Sequence, residues 1–145
     1  MTALTVVMAQ VNPLVGDVEG NTSLVIEKVE QAKALYNADV VLFPELVLTG
    51  YPPEDLLLRP SLTTRINSAL DRMKLELPQD VYAVVGLPLT EQGHLYNSAV
   101  VLYAGAELAH YHKQKLPNFQ VFDEKRYFTP GKRKATVLDI EGISF

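Results

Sequence analysis

The 145 residues suffice for one domain with its own core, and 48% hydrophobic with 21% charged residues is the balance of a globular protein. The formal charge of -4 excludes the basic surplus that nucleic acid or an anionic membrane would call for. With no cysteine present, disulfides, cysteine-ligated zinc and a cysteine nucleophile are excluded within these residues.

The opening "MTALTVVMAQVNP" lacks the basic start and small-residue cleavage site of a secretory signal, and no apolar run is long enough to span a bilayer. A cytoplasmic location is expected. Residues 4–9 are apolar and β-branched and read as a strand. Residues 11–20, with Asn12-Pro13 and two glycines, read as a loop. Asn21 or Thr22 is expected to cap a helix running to about Tyr36, with Val25, Val29, Ala32 and Tyr36 on its apolar face. Residues 39–43 form a short, continuously apolar second strand. Strand, helix, strand at this spacing predicts a parallel pair joined by a crossover.

Pro60-Ser61 opens a second helix. Its stripe is Leu62, Ile66, Leu70 (or Ala69), Met73 and Leu77, and Pro78 stops it. Residues 81–87 make a third strand. The turns Glu91-Gln92-Gly93-His94 and Ala104-Gly105-Ala106 lead into strands at 95–103 and 107–113. Both connections are too short for crossovers, so this part is antiparallel and the sheet mixed. Lys132-Arg133-Lys134 reads as a solvated turn. Residues 135–140 form one more strand, Glu141-Gly142 a turn, and residues 143–145 the start of another strand. No repeat or domain linker interrupts residues 1–145.

No dinucleotide fingerprint, P-loop or H-E-x-x-H occurs, and Gly142-Ile143-Ser144 gives only the start of a G-x-S-x-G. His110 and His112 share one side of a strand. The sequence offers no carboxylate or third histidine at matching spacing, so a surface or hydrogen-bonded pair is expected and no metal site.

The most informative single residue is Glu45, in "FPELVLTGYPPEDLLL". Carboxyl ends of parallel strands face the ligand crevice of open α/β sheets. A carboxylate beside apolar Phe43 and Leu46 resists ionisation, which suits a general base; a buried glutamate paired with a lysine for structural reasons fits equally. Lys113, at the end of another strand, can pair with Glu45 and oppose a developing oxyanion, or be an exposed lysine in a charged turn. Glu124, in "FDEKRYFTPG", is a second carboxylate or a surface charge beside Lys125-Arg126.

"FPELVLTGYPPEDLL" followed by "YHKQKLPNFQVFDEKRYFTPG" resembles the nitrilase, or carbon–nitrogen hydrolase, superfamily, and within it the glutamine-hydrolysing domains of NAD synthetases. The resemblance spans nearly the whole chain. It implies an α/β (α+β) fold, part of an α-β-β-α four-layer sandwich with mixed sheets, and a Glu-Lys-Cys triad. Glu45 stands at the family's base, Lys113 at its lysine and Glu124 at its second glutamate. Lys115 falls where many relatives have histidine. Tyr51 matches a pocket tyrosine, and Phe119 stands where an aromatic residue, commonly tyrosine, contacts glutamine.

The resemblance implies glutamine as substrate, ammonia as product, and transfer of that ammonia to a C-terminal synthetase domain that uses ATP and Mg and requires no cofactor within residues 1–145. It also implies a homo-oligomer. The family's cysteine is absent, which predicts a chain truncated before the nucleophile strand and inactive alone. A stand-alone aliphatic amidase and a non-catalytic module of the same fold are the alternatives.

Overall fold

The computed structural model describes residues 3–132 and 135–144; Arg133, Lys134 and Phe145, within the basic turn and the final strand expected from sequence, lie outside them. Five strands form one mixed sheet in the order β1 (Val6–Met8), β2 (Val40–Leu42), β3 (Tyr82–Glu91), β4 (His94–Tyr103), β5 (Ala106–His112). β1 and β3 flank β2 in parallel, and the β3–β4 and β4–β5 pairs are antiparallel. Helices α1 (Val18–Tyr36) and α2 (Pro60–Glu76) supply the crossovers from β1 to β2 and from β2 to β3.

Both helices bury their stripes on one face of the sheet, except Tyr36 at the end of α1, which is exposed. Val25 and Val29 of α1 and Ile66 and Met73 of α2 share a core with Val41, Ala83, Val85, Leu87, Val100 and Leu102. The α2 stripe read from sequence is the one buried. The hairpins turn through Gln92-Gly93 and Ala104-Gly105, all four at positive φ. Paired left-handed residues match the twist of the flanking strands, and a glycine takes the second position at no steric cost.

Three expectations change. Helix α1 begins at Val18, four residues after Leu14, because Asp17 caps it by accepting from the Gly20 N–H at 3.0 Å. Asn21, expected as a cap, is buried and has another task. Its Nδ2 donates to the carbonyls of Leu14 (2.8 Å) and Leu48 (3.1 Å), and its Oδ1 accepts from Leu14 N–H (2.9 Å). It thereby fastens the loop after β2 to the first turn of α1. Within residues 135–140 only β6 (Asp139–Ile140) is extended and paired, with β7 (Ile143–Ser144). Val137 is exposed, and residues 135–138 form no ladder with any described strand, although the Thr136 hydroxyl donates to His110 O of β5 at 3.4 Å. A 3-10 turn at Glu54–Leu58, unexpected from sequence, precedes α2.

Candidate active site

Parallel pairing ends β2 at Leu42, and the chain then crosses over β3. Phe43 N–H still bonds to Val84 O (3.0 Å), and Leu48 N–H reaches Gly86 O. The crossing is close enough that a Cβ on Gly86 would lie 2.5 Å from Pro44 O and 2.6 Å from Leu46 N. Only glycine fits beneath this segment. Leu46, fully buried, turns the backbone in the left-handed region at φ 52°. A non-glycine residue there is strained, and packing of the Leu46 side chain in the core holds it. Together these features lift Glu45 above the sheet face that carries no helix.

Lys113 comes to the same face from β5. Its N–H donates to Asn97 O (2.8 Å), which continues the β4–β5 ladder one residue beyond β5 and points its side chain away from the helices. Lys113 Nζ lies 2.7 Å from Glu45 Oε1 and 3.0 Å from Glu124 Oε1. Asn97 Nδ2 donates to the same Glu45 oxygen at 2.5 Å. Glu124 begins a short 3-10 turn (Glu124–Arg126), its side chain only 8% exposed. Its Oε2 is buried and has no hydrogen-bond partner among the described residues. Burial acts to lower the Lys113 pKa, but its hydrogen bonds to Glu45 and Glu124, with their charges, outweigh it and raise the pKa above the ordinary lysine value. The ammonium is therefore charged at neutral pH.

Two hollows flank the cluster. One, of about 240 Å³, is lined by Glu45, Phe43, Gly86, Asn97, Tyr111 and Lys113. The other, of about 250 Å³, is lined by Glu124, Tyr51, Leu46, Asp55, Tyr127 and Phe128. Burial raises the pKa of the Tyr51 phenol, and the charges of Glu124 and then Glu45 add to it. Tyr51 is thus within electrostatic reach of the cluster. Its wall is braced by Asp55, which accepts from Tyr127 Oη at 2.7 Å and pairs with Arg126 at 3.3 Å.

Of the residues singled out by sequence, the structure gathers Glu45, Lys113, Glu124 and Tyr51. It does not gather Phe119, which is 62% exposed, stacks edge-on against Phe122, and lines a separate groove with Gln114, Lys115 and Pro117. Glu45 is also not enclosed as expected: its side chain is 44% exposed, with a lysine and an amide as partners. Asn97 and Gly86 were missed. Asn97 carries no sequence signal beyond being a polar residue, beside Ser98, in a mostly apolar strand. Gly86 does carry one, an isolated glycine inside a strand pattern, which marks close approach of another backbone.

The sequence pattern of the carbon-nitrogen hydrolase family matches residues 5–145. The chain belongs to that family. It is 46% identical over 132 residues to the glutamine-dependent NAD(+) synthetase of Acinetobacter baylyi, covering 90% of this chain and 24% of that protein. It superposes on the glutamine-dependent NAD+ synthetase of Acinetobacter baumannii with a TM-score of 0.93 at 41% identity, covering 99% of this chain and 27% of that one. An amidase from Nesterenkonia sp. has the same fold, with a TM-score of 0.85 at 24% identity over 97% of this chain and 53% of that one. The chain spans about a quarter of the length of the synthetases it matches. The mixed sheet with helices on one face is the fold of these carbon–nitrogen hydrolases.

Proposed function

We propose that this chain is part of the glutamine-hydrolysing unit of a glutamine-dependent NAD synthetase. The observation that carries the reading is the Lys113 ammonium held between Glu45 and Glu124. A fixed cation between a solvent-open carboxylate and a buried one suits an acyl transfer in which a proton moves and an oxyanion forms. Similarity to the Acinetobacter synthetases supports glutamine as the amide.

In this reading a thiol attacks the side-chain amide carbon of glutamine. Glu45 takes the thiol proton and delivers it to the departing nitrogen, so ammonia leaves and a thioester remains. Lys113 opposes the negative charge on the tetrahedral oxygen. Water then attacks the thioester, Glu45 receives its proton, and glutamate and free thiol are restored. Glu124 fixes Lys113 through Oε1 and offers Oε2 to the N–H groups of the amide, with Tyr51 walling that side. The ammonia goes to a synthetase domain that uses ATP, with Mg, to convert nicotinic acid adenine dinucleotide to NAD.

The thiol comes from outside these 145 residues, which contain none, and the reading holds that they release no ammonia by themselves. Supplying the protein that carries this chain with glutamine labelled with 15N at its side-chain amide tests the assignment. Label is expected in the amide of the NAD formed; NAD formed without label overturns it.

A further inference from the structure

On the opposite face of the sheet from Glu45, a second cluster joins the far ends of β3 and β5. His110 and His112 alternate with Tyr111 and Lys113 and stand opposite Val100 and Ser98, so they point to the helix side of the sheet. The β3–β4 hairpin brings Glu91 to them, a partner that sequence spacing did not reveal. Glu91 Oε1 lies 3.0 Å from His110 Nε2, and Glu91 Oε2 lies 3.3 Å from His112 Nε2. The two imidazoles stack with centroids 4.9 Å apart, and Tyr96 stacks on the outer side of His112 at 4.1 Å.

The other ring nitrogens are already committed. His110 Nδ1 is 2.8 Å from Glu107 Oε1, a carboxylate that only accepts, so this nitrogen carries the hydrogen. His112 Nδ1 is 2.7 Å from Ser98 Oγ, and its Nε2 is within hydrogen-bond distance of Glu91 Oε2. The Nε2 of neutral His110 then presents a lone pair toward Glu91, and His112 faces the same carboxylate through its own Nε2. His110 Nε2 is buried and makes no hydrogen bond among the described residues, despite its short distance to Glu91. Three ligand atoms gathered within a few ångströms, with each imidazole held through Nδ1 by a polar side chain behind it, is an arrangement that metal-binding histidines adopt.

We infer that Glu91, His110 and His112 bind one divalent transition-metal ion of the zinc class. The three ligand atoms lie within 4.8 Å of one another. Bonds of about 2.0–2.1 Å are reached when the two stacked imidazoles tilt together and the Glu91 side chain, 40% exposed, rotates onto them. Two imidazoles with one carboxylate select zinc, cobalt, nickel or copper over magnesium or calcium. The exposed side of Glu91 leaves a coordination position for water. The ion ties β3 to β5 across β4 directly behind Lys113, and the site stands whether or not the glutaminase reading does.

Calorimetric titration of Zn²⁺ into the metal-stripped protein near neutral pH tests it. Wild type is expected to bind one equivalent more than the H110Q/H112Q double variant. Glu107→Gln is expected to weaken that equivalent by roughly 10–100-fold. Co²⁺ in its place is expected to give a visible absorption band that the double variant lacks. Because the double variant could misfold, Glu91→Gln, at an exposed side chain, serves as the second probe: it should lose the same equivalent with its circular dichroism unchanged. Equal stoichiometry and affinity in wild type and Glu91→Gln overturn the site.

Discussion

Asn97 donates its side-chain amide to Glu45 Oε1, the same oxygen that accepts from Lys113. The carboxylate is thus held from two directions, one strand apart, while its other oxygen is left for chemistry. Asn97 is a positioning residue in the proposed reaction. In Asn97→Ala, the kcat for glutamine-dependent NAD synthesis should fall by about 10–100-fold, the scale of a misplaced reacting group. KM should change little and synthesis from free ammonia should be unaffected. Equal rates in wild type and variant would make the hydrogen bond irrelevant to turnover.

Gly86 sets the height of Glu45 above the sheet. Gly86→Ala drives a methyl group into backbone atoms of Pro44 and Leu46, which cannot swing aside as a side-chain end can. Overpacking of this kind costs about 1–3 kcal/mol. Urea unfolding should report that loss, along with a fall in glutamine-dependent activity because the Glu45 segment is displaced. Unchanged stability would show that the segment has room to move.

Lys113 offsets the charge of buried Glu124 as well as pairing with Glu45. Lys113→Met leaves Glu124 without its cation and is expected to cost about 1.5–3 kcal/mol, the range for hydrogen bonds to charged groups. Glu124→Gln in the Lys113→Met background should recover part of that loss, and a double-mutant cycle measures the coupling. Since the folded-state pKa of Lys113 is raised, its contribution is complete below the ordinary lysine value and disappears as pH rises through the raised one. Additive effects in the cycle would deny the pairing.

Glu19, in the first turn of α1, pairs with Arg65 of α2, and the guanidinium also donates to Gly16 O at 3.0 Å. The Arg65 hydrogen bond is the main cause that lowers the Glu19 pKa from 4.5 to about 2. A depressed folded-state pKa gives stability that is present above the unfolded value of 4.5 and lost as pH falls through about 2. Both side chains are substantially exposed, so the contribution is small and salt weakens it. A carboxyl-carbon NMR titration should place the midpoint near 2 at low salt and higher in Arg65→Ala; the same midpoint in both removes Arg65 as the cause.

The sequence patterns that survive folding are those written in local periodicity. The α2 stripe, the two glycine-bearing hairpin turns and the parallel β1–β2 pair follow from spacing and turn chemistry. A Glu45–Lys113 pair was one of two readings open from their places at strand ends, and the family motifs chose it and added Glu124, since the three stand up to 79 residues apart (124 − 45). What stayed hidden depends on tertiary contact. Asn21 has the profile of a cap but is spent on the Leu48 carbonyl. Asn97 gains its role from a loop 52 residues away. Glu91 meets the histidines only because β4 places β3 and β5 on the same face.

The central claim is that Glu45 moves the protons of amide hydrolysis beside Lys113. Glu45→Gln keeps the side chain's size and an oxygen for Lys113 but removes the base. NAD synthesis by the protein that carries this chain should be measured in this variant with glutamine and, separately, with free ammonia. Glutamine-dependent synthesis is expected to fall by at least about 100-fold, the lower range for a lost general base, while synthesis from ammonia stays at the wild-type rate. Equal loss with both nitrogen sources would make Glu45 a structural residue and contradict the account.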